Sequence, residues 1–186
     1  SPQAPGGYAE YVRIGGRQLL RVPEGVALDA AALAEPLAVG AHAVRLAGSL
    51  LGLRVLVIGA GPIGLATAAF AQRAGARDIV VSEIDAARRE RSAKLGATAL
   101  IDPDAGPPGE AFAQLTGGAP QVVFECVGVP GLLRQCMDLA ATRGRIVVVG
   151  VCRHEDTILP RIAIRKELMV QFVLGYNKRD FEVVID

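Results

Sequence analysis

Tryptophan is absent from this chain, histidine occurs twice and cysteine three times, and the charges leave a net of only +1. Each shortage excludes something. Cys126, Cys136 and Cys152 are odd in number and no two stand in CxxC spacing. That argues against a disulfide framework or a zinc knuckle and sets a reducing cytoplasm as the expected location. Read from the sequence, all three are small buried hydrophobes. With 20 Lys plus Arg against 19 Asp plus Glu, no net field invites nucleic acid or a membrane surface. No uninterrupted apolar run reaches the roughly 18 residues that a membrane span needs. The opening SPQAPGGYAEYV has neither a basic n-region nor an apolar h-region, so no targeting signal is visible. Internal repeats and low-complexity segments are also missing.

What remains is a globular composition. Of 186 residues, 51% are apolar and 21% charged, enough for one substantial core or one core with a small appendage. From residue 53 onward, strand-length apolar runs alternate with helix-patterned stretches. The runs are RVLVIG (54–59), DIVVSE (78–83), TALID (98–102), QVVFECVG (121–128), GRIVVVGV (144–151) and LMVQFVLG (168–175). Most are continuous and rich in Val and Ile, as strands buried on both faces of a parallel sheet are. PIGLATAAFAQRAG, AARRERSAKLG and GLLRQCMDLAATRG lie between them, each ending at a glycine suited to a helix C-cap. EAFAQLTGG reads as a shorter helix after the GPP loop at 106–108. The pattern predicts an α/β fold, a doubly wound six-stranded parallel sheet of the Rossmann type.

The ends differ. GGYAEYVRIGGRQLLRVPEGV reads as two short strands around a GG turn. DAAALAEPLAVGAHAVRLAG reads as helical, with Asp29 as N-cap and an interruption near Pro36. RDFEVVID begins a helix and stops. Both ends read as cut: residues 1–34 and 177–186 as short stubs of another, mostly β domain, and 35–176 as the dinucleotide-binding domain.

Gly59, Gly61 and Gly64 stand at G-x-G-x-x-G spacing. The first permits a tight turn off the strand, the second lets the backbone approach a pyrophosphate, and the third lets the helix pack on the sheet. Pro62 suits a first helical turn, and the free amides with the helix dipole favour a phosphate. Alone the spacing is weak. Here it follows a buried-type strand and opens a helix, and a second strand ends in acid at Glu83, nineteen residues past Gly64. That context points to a dinucleotide, with Glu83 accepting from the adenosine ribose hydroxyls. A glycine turn that binds nothing and an S-adenosylmethionine site are the competing readings. A carboxylate repels a ribose 2′-phosphate, which favours NAD over NADP; Arg88, Arg89 and Arg91 are the cations that stand against that preference.

The segments AEPLAVGAHAV, VLVIGAGPIG, VVSEIDAARRERSAKLGA, VVFECVG and GRIVVVGV resemble, in this order, the zinc-dependent medium-chain alcohol dehydrogenase family. EPLAVGAHA is most similar to its polyol branch, the sorbitol and butanediol dehydrogenases. The resemblance covers essentially the whole chain. It implies zinc-assisted hydride transfer between an alcohol or polyol and NAD+. It places Gly61, Pro62, Ile63 and Gly64 on the pyrophosphate, Glu83 on the ribose and Arg88 beside the adenosine. Cys126 and Val127 would flank the adenosine. Val149, Gly150 and Val151 would meet the nicotinamide, with Val173 and Leu174 near the same end. It also implies a homodimer, or a tetramer, through the sheet edge at 168–175.

Glu35 falls where the polyol branch carries a carboxylate in its zinc shell, bound directly or through water. Read from the residues, an acid in an apolar stretch is costly to bury unpaired, and it equally suits a helix cap or ion pair. The family's other ligands, a Cys and a His-Glu pair, have no match in this chain, nor does its four-cysteine structural lobe. His42 reads as packed and His154 as exposed. The polypeptide as it stands is therefore expected to be inactive on alcohols. A stand-alone NAD(H)-sensing module and the zinc-free quinone reductase branch are the rival functions.

Overall fold

The structure, a computed structural model, describes residues 6–186. The first five residues of the 1–34 segment, which also begin the stretch read for a targeting signal, lie outside them. Six strands form one parallel sheet: β1 (Arg54–Ile58), β2 (Asp78–Ser82), β3 (Ala99–Ile101), β4 (Val122–Glu125), β5 (Arg145–Val148) and β6 (Met169–Phe172). Their order across the sheet is β3-β2-β1-β4-β5-β6. The chain therefore reverses its direction of travel between β1 and β4, where Val55–Ile58 pair with Val122–Glu125. A crevice at such a reversal is where doubly wound sheets bind ligands.

Continuous Val/Ile runs work here because both faces of the sheet are covered. Side chains alternate along each strand. Val55, Val57, Val81, Val122, Phe124 and Val147 face one layer with Ala43, Val44, Ala68 and Ala71. Leu56, Ile58, Val80, Val123, Ile146 and Val148 face the other with Phe112, Cys136 and Met137. The first layer is built from α2 (Ala34–Ala47) and α3 (Pro62–Arg73), the second from α5 (Pro108–Thr116) and α6 (Leu132–Leu139). α2 and α3 pack closely because Gly40 has no side chain: a Cβ there would stand 2.7 Å from the Ala66 carbonyl carbon. The remaining helices are α1 (Leu28–Ala31), α4 (Ala86–Ala93), α7 (Pro160–Lys166) and α8 (Lys178–Ile185).

Four expectations are corrected. Among the described residues no strand precedes Arg54, and the segment read as a hairpin holds one 3₁₀ turn, Gly16–Gln18. Tyr8, Tyr11, Val12 and Ile14 stand exposed, so the apolar residues that suggested strands have no face to pack on. Asp29 does not cap a helix; Ala27 holds that position for α1, and Asp29 accepts from the Ala30 amide at 2.9 Å. Pro36 does not interrupt the helix either. The break falls at Ala32–Leu33, and Pro36 sits in the first turn of α2, where no N–H is needed. Finally, α6 ends at Leu139 rather than at Gly144. The Lys166 ammonium donates to the Met137, Asp138 and Ala140 carbonyls at 3.1, 2.6 and 2.8 Å, closing the helix from outside.

α8 is anchored to α2 by polar groups. Asn177 and Asp180 form a capping box at its start. The buried Asp180 carboxylate also accepts from Arg45 Nε at 2.7 Å and meets His42 Nδ1 at 2.7 Å. His42 is therefore packed in a hydrogen-bonded network, as expected, and His154 is exposed.

Candidate functional site

β1 runs into Gly59, whose φ of +94° turns the backbone sharply. A Cβ at Gly59 would also strike Val127 Cγ2 at 2.6 Å. α3 then starts at Pro62, with Gly61 as a cap that offers no side chain and no acid in the first turn. A Cβ on Gly64 would stand 1.9 Å from the Gly59 carbonyl oxygen, whereas one on Gly61 would meet nothing within 4 Å. The third glycine is thus required by packing inside the protein. The second leaves space open in front of the α3 amides of Ile63 and Gly64, the arrangement a pyrophosphate needs.

A cavity of about 590 Å³ opens over the C-terminal ends of β1, β2 and β4, within the range of small-molecule sites. Six of the residues singled out in the sequence line it: Gly59, Gly61, Glu83, Arg88, Cys126 and Val127. Pro62, Ile63 and Gly64 belong to the start of α3 beside it. Val149, Gly150 and Val151 lie past the end of β5, outside its lining. Pro103 and Asp104, on the loop after β3, and Gln135 on α6 line it as well. Reasoning from motifs missed them. The loop after β3 shares the rim with the other C-terminal strand ends, a signal that the topology carries and the motif does not.

Glu83 follows β2 and is buried, with 7% exposure. Its Oε2 accepts from the Ala60 amide at 2.6 Å and its Oε1 from the Asp85 amide at 3.0 Å. The acid therefore ties the glycine loop to the β2–α4 loop while lining the cavity. Asp85 caps α4, accepting from the Arg88 amide at 2.8 Å, which places the Arg88 side chain at the cavity rim. Arg89 behaves differently. Its guanidinium donates to the Glu83 and Ile84 carbonyls and pairs with Asp102 at 2.8 Å. It is committed to holding the loop. Arg91 is exposed and not part of the lining. Of the three cations weighed against NAD, one faces the cavity.

Cys126 turns its sulfur to Thr67 Oγ1 at 3.9 Å. Burial pushes its thiol up to about 12, and burial raises Cys136 as well, so neither is a thiolate nucleophile at neutral pH. Glu35 lies exposed in the first turn of α2. Burial, and next to it the Glu35 carboxylate, raise the phenol of Tyr176 above its ordinary value. Among the described residues no three His, Cys, Asp or Glu side chains gather in a metal-binding group. A tetrahedral zinc needs four donors, so these residues do not fit one by themselves.

The profile of the zinc-binding dehydrogenase family matches residues 62–186. The chain belongs to that family. It is 35% identical to (R,R)-butanediol dehydrogenase of Bacillus subtilis over 173 residues, 92% of this chain and 50% of the relative. A crystal structure of an Escherichia coli alcohol dehydrogenase complexed with NADH superimposes with a TM-score of 0.91 at 29% identity, covering 98% of this chain and 54% of that one. A zinc-binding dehydrogenase from Sinorhizobium meliloti bound to NADP gives 0.77 at 35% identity, covering 83% and 47%. This zinc-binding dehydrogenase chain thus spans about half the length of the relatives it matches. One of these structural neighbours holds NADH and the other NADP, so choosing between them falls to this chain's own residues.

Proposed function

We propose that the chain is the NAD(H)-binding part of an alcohol or polyol dehydrogenase. The observation that carries this is Glu83: a buried carboxylate lining the cavity at the end of β2, held in place by the glycine loop it faces. Each of its oxygens accepts one N–H and keeps lone-pair capacity for a ribose hydroxyl. In this reading the Ile63 and Gly64 amides receive the pyrophosphate. Arg88, Cys126 and Val127 border the adenosine. Val149, Gly150 and Val151 meet the nicotinamide, with Val173 and Leu174 near the same end. Bound NAD supplies the hydride acceptor; the residues here bind it, orient it and keep water from its adenosine end. Glu35 takes the role of one oxygen ligand of a zinc, and no chemistry of the described residues depends on that metal.

Repulsion between the Glu83 charge and a 2′-phosphate at 4 Å is worth about 1 kcal/mol in water and about 4 near a protein surface. With Arg89 committed to Asp102 and to backbone carbonyls, Arg88 is the cation left to offset it. Titration with NADH and NADPH, followed by nicotinamide fluorescence, tests the reading. The expected result is an NADH preference of at least about tenfold. Preference for NADPH overturns the NAD assignment, and binding of neither overturns the cofactor role.

Two further parts of the proposal rest on particular residues. The outer strand β6 leaves Met169 and Phe172 exposed, and Leu174 just past it, which supports pairing of two copies along that edge. Of the three cysteines read as buried, only Cys136 is; Cys126 and Cys152 are half-buried, and all three are unpaired, which is compatible with a reducing cytoplasm. Among the described residues no helix is long and apolar enough to cross a membrane.

A further inference from the structure

One buried acid has no part in the site described so far. Glu125 ends β4, beside Ile58 of β1 and Val148 of β5, and is 3% exposed. Its side-chain Oε1 accepts from both the Val127 and Gly128 amides at 2.7 Å. Its main-chain carbonyl accepts from both the Val149 and Gly150 amides, at 2.8 and 2.9 Å. One residue thus takes four N–H groups from two loops. The loops also touch directly. A Cβ on Gly150 would stand 2.3 Å from the Gly128 nitrogen and 2.7 Å from Glu125 Oε2, and one on Gly128 would stand 2.5 Å from the Val151 nitrogen.

Doubly wound folds divide the dinucleotide between the β1–β3 half and the β4–β6 half. The cavity over β1, β2 and β4 serves the first; the 149–151 backbone belongs to the second. We infer that Glu125 is a positioning residue for the nicotinamide half. Its side chain holds the 126–128 backbone and its main-chain carbonyl the 149–151 backbone, so that the second loop, which meets that end of the cofactor, is fixed by the first, without Glu125 touching the cofactor itself. The inference rests on the proposed NAD(H) reading. Without the side-chain acceptor the Val127 and Gly128 amides are freed, while the main-chain carbonyl still holds Val149 and Gly150. Gly128 packs directly on Gly150 and Val151, so its shift reaches the nicotinamide end, whereas the adenosine end keeps Glu83, Arg88 and the glycine loop.

The test compares NADH with ADP, which carries the adenosine and pyrophosphate but no nicotinamide. Binding of both to the wild-type chain and to the variants Glu125→Ala, Glu125→Gln and Glu125→Asp is measured by titration calorimetry. Glu125→Ala is expected to weaken NADH at least tenfold and ADP less than threefold. Glu125→Gln keeps a carbonyl oxygen for the two amides and is expected to stay within threefold of wild type for both ligands. Glu125→Asp keeps the carboxylate but falls a methylene short of the two amides and is expected to give a smaller loss of the same NADH-selective kind, so the inference is tested even where Glu125→Ala does not fold. Equal losses for both ligands in a folded variant, no loss for NADH, or failure of glutamine to restore it overturn the inference while leaving the cofactor reading intact. A wild-type chain that binds neither ligand overturns both.

Discussion

Two glycines three residues apart, Gly61 and Gly64, are alike in sequence and opposite in what they answer to. Gly64 answers to the protein: its Cβ would overlap the Gly59 carbonyl oxygen at 1.9 Å, and backbone does not yield cheaply. Gly61 faces open space with an ordinary φ of −67°. We therefore expect Gly64→Ala to lower the unfolding free energy by about 1–3 kcal/mol, the usual cost of overpacking, in a denaturant titration. Gly61→Ala is expected to leave stability within about 0.5 kcal/mol, as at other positions free of such features, while weakening NADH by tenfold or more. A stable Gly64→Ala chain would contradict the packing role. The spacing of these glycines was legible in the sequence. Which of them serves the fold and which serves the ligand was not, because the distinction lies in atoms from other elements. Arg89 teaches the same lesson from the opposite side. Beside Arg88 it reads as a phosphate-binding cation, yet Asp102, thirteen residues on, takes it out of the site.

Elements were legible wherever their own pattern decided them. All six apolar runs became strands: β1, β2, β4 and β5 are covered on both faces, whereas β6 pairs with β5 while Met169 and Phe172 stay exposed. The N-terminal segment failed because a strand needs a partner to bond to, and pattern does not supply one. α8 illustrates how a polar group secures an element. Burial pushes the Asp180 carboxyl up, but the Arg45 guanidinium, the Asn177 amide and His42 together hold it at about 2, against 3.8 unperturbed. The folded state thus binds this proton more weakly than the unfolded one. The stabilisation is whole above about pH 4 and is lost as pH falls through the span between 3.8 and about 2. A tenfold difference in proton affinity between the two states is worth about 1.4 kcal/mol. With Arg45 half in solvent, the contribution is about 1–2 kcal/mol. Denaturant unfolding at successive pH values from 5 to 2 is expected to show that loss in the wild-type chain and a shallower one in Asp180→Asn. Identical slopes would remove Asp180 from the account.

At the scale of the whole molecule, the unpaired edge of β6 is the feature with the largest consequence. A strand edge that no neighbour pairs is a template for another strand, and two copies meeting there would extend the sheet. Light scattering at tens of micromolar is expected to report a dimer, and an added Phe172→Lys charge a monomer; a monomeric wild-type chain would end the proposal. The sequence by itself determined the sheet, its helices and the glycine loop with its acid, because those depend on local periodicity and on short spacings along the chain. Only the tertiary structure decided that Arg89 belongs to Asp102, that Lys166 ends α6, that Pro103, Asp104 and Gln135 border the cavity, and that Glu125 gathers two loops. Each of these is a contact between residues that the crossover connections bring together, and hydrogen bonds and burial act over ångströms in space rather than over positions in sequence.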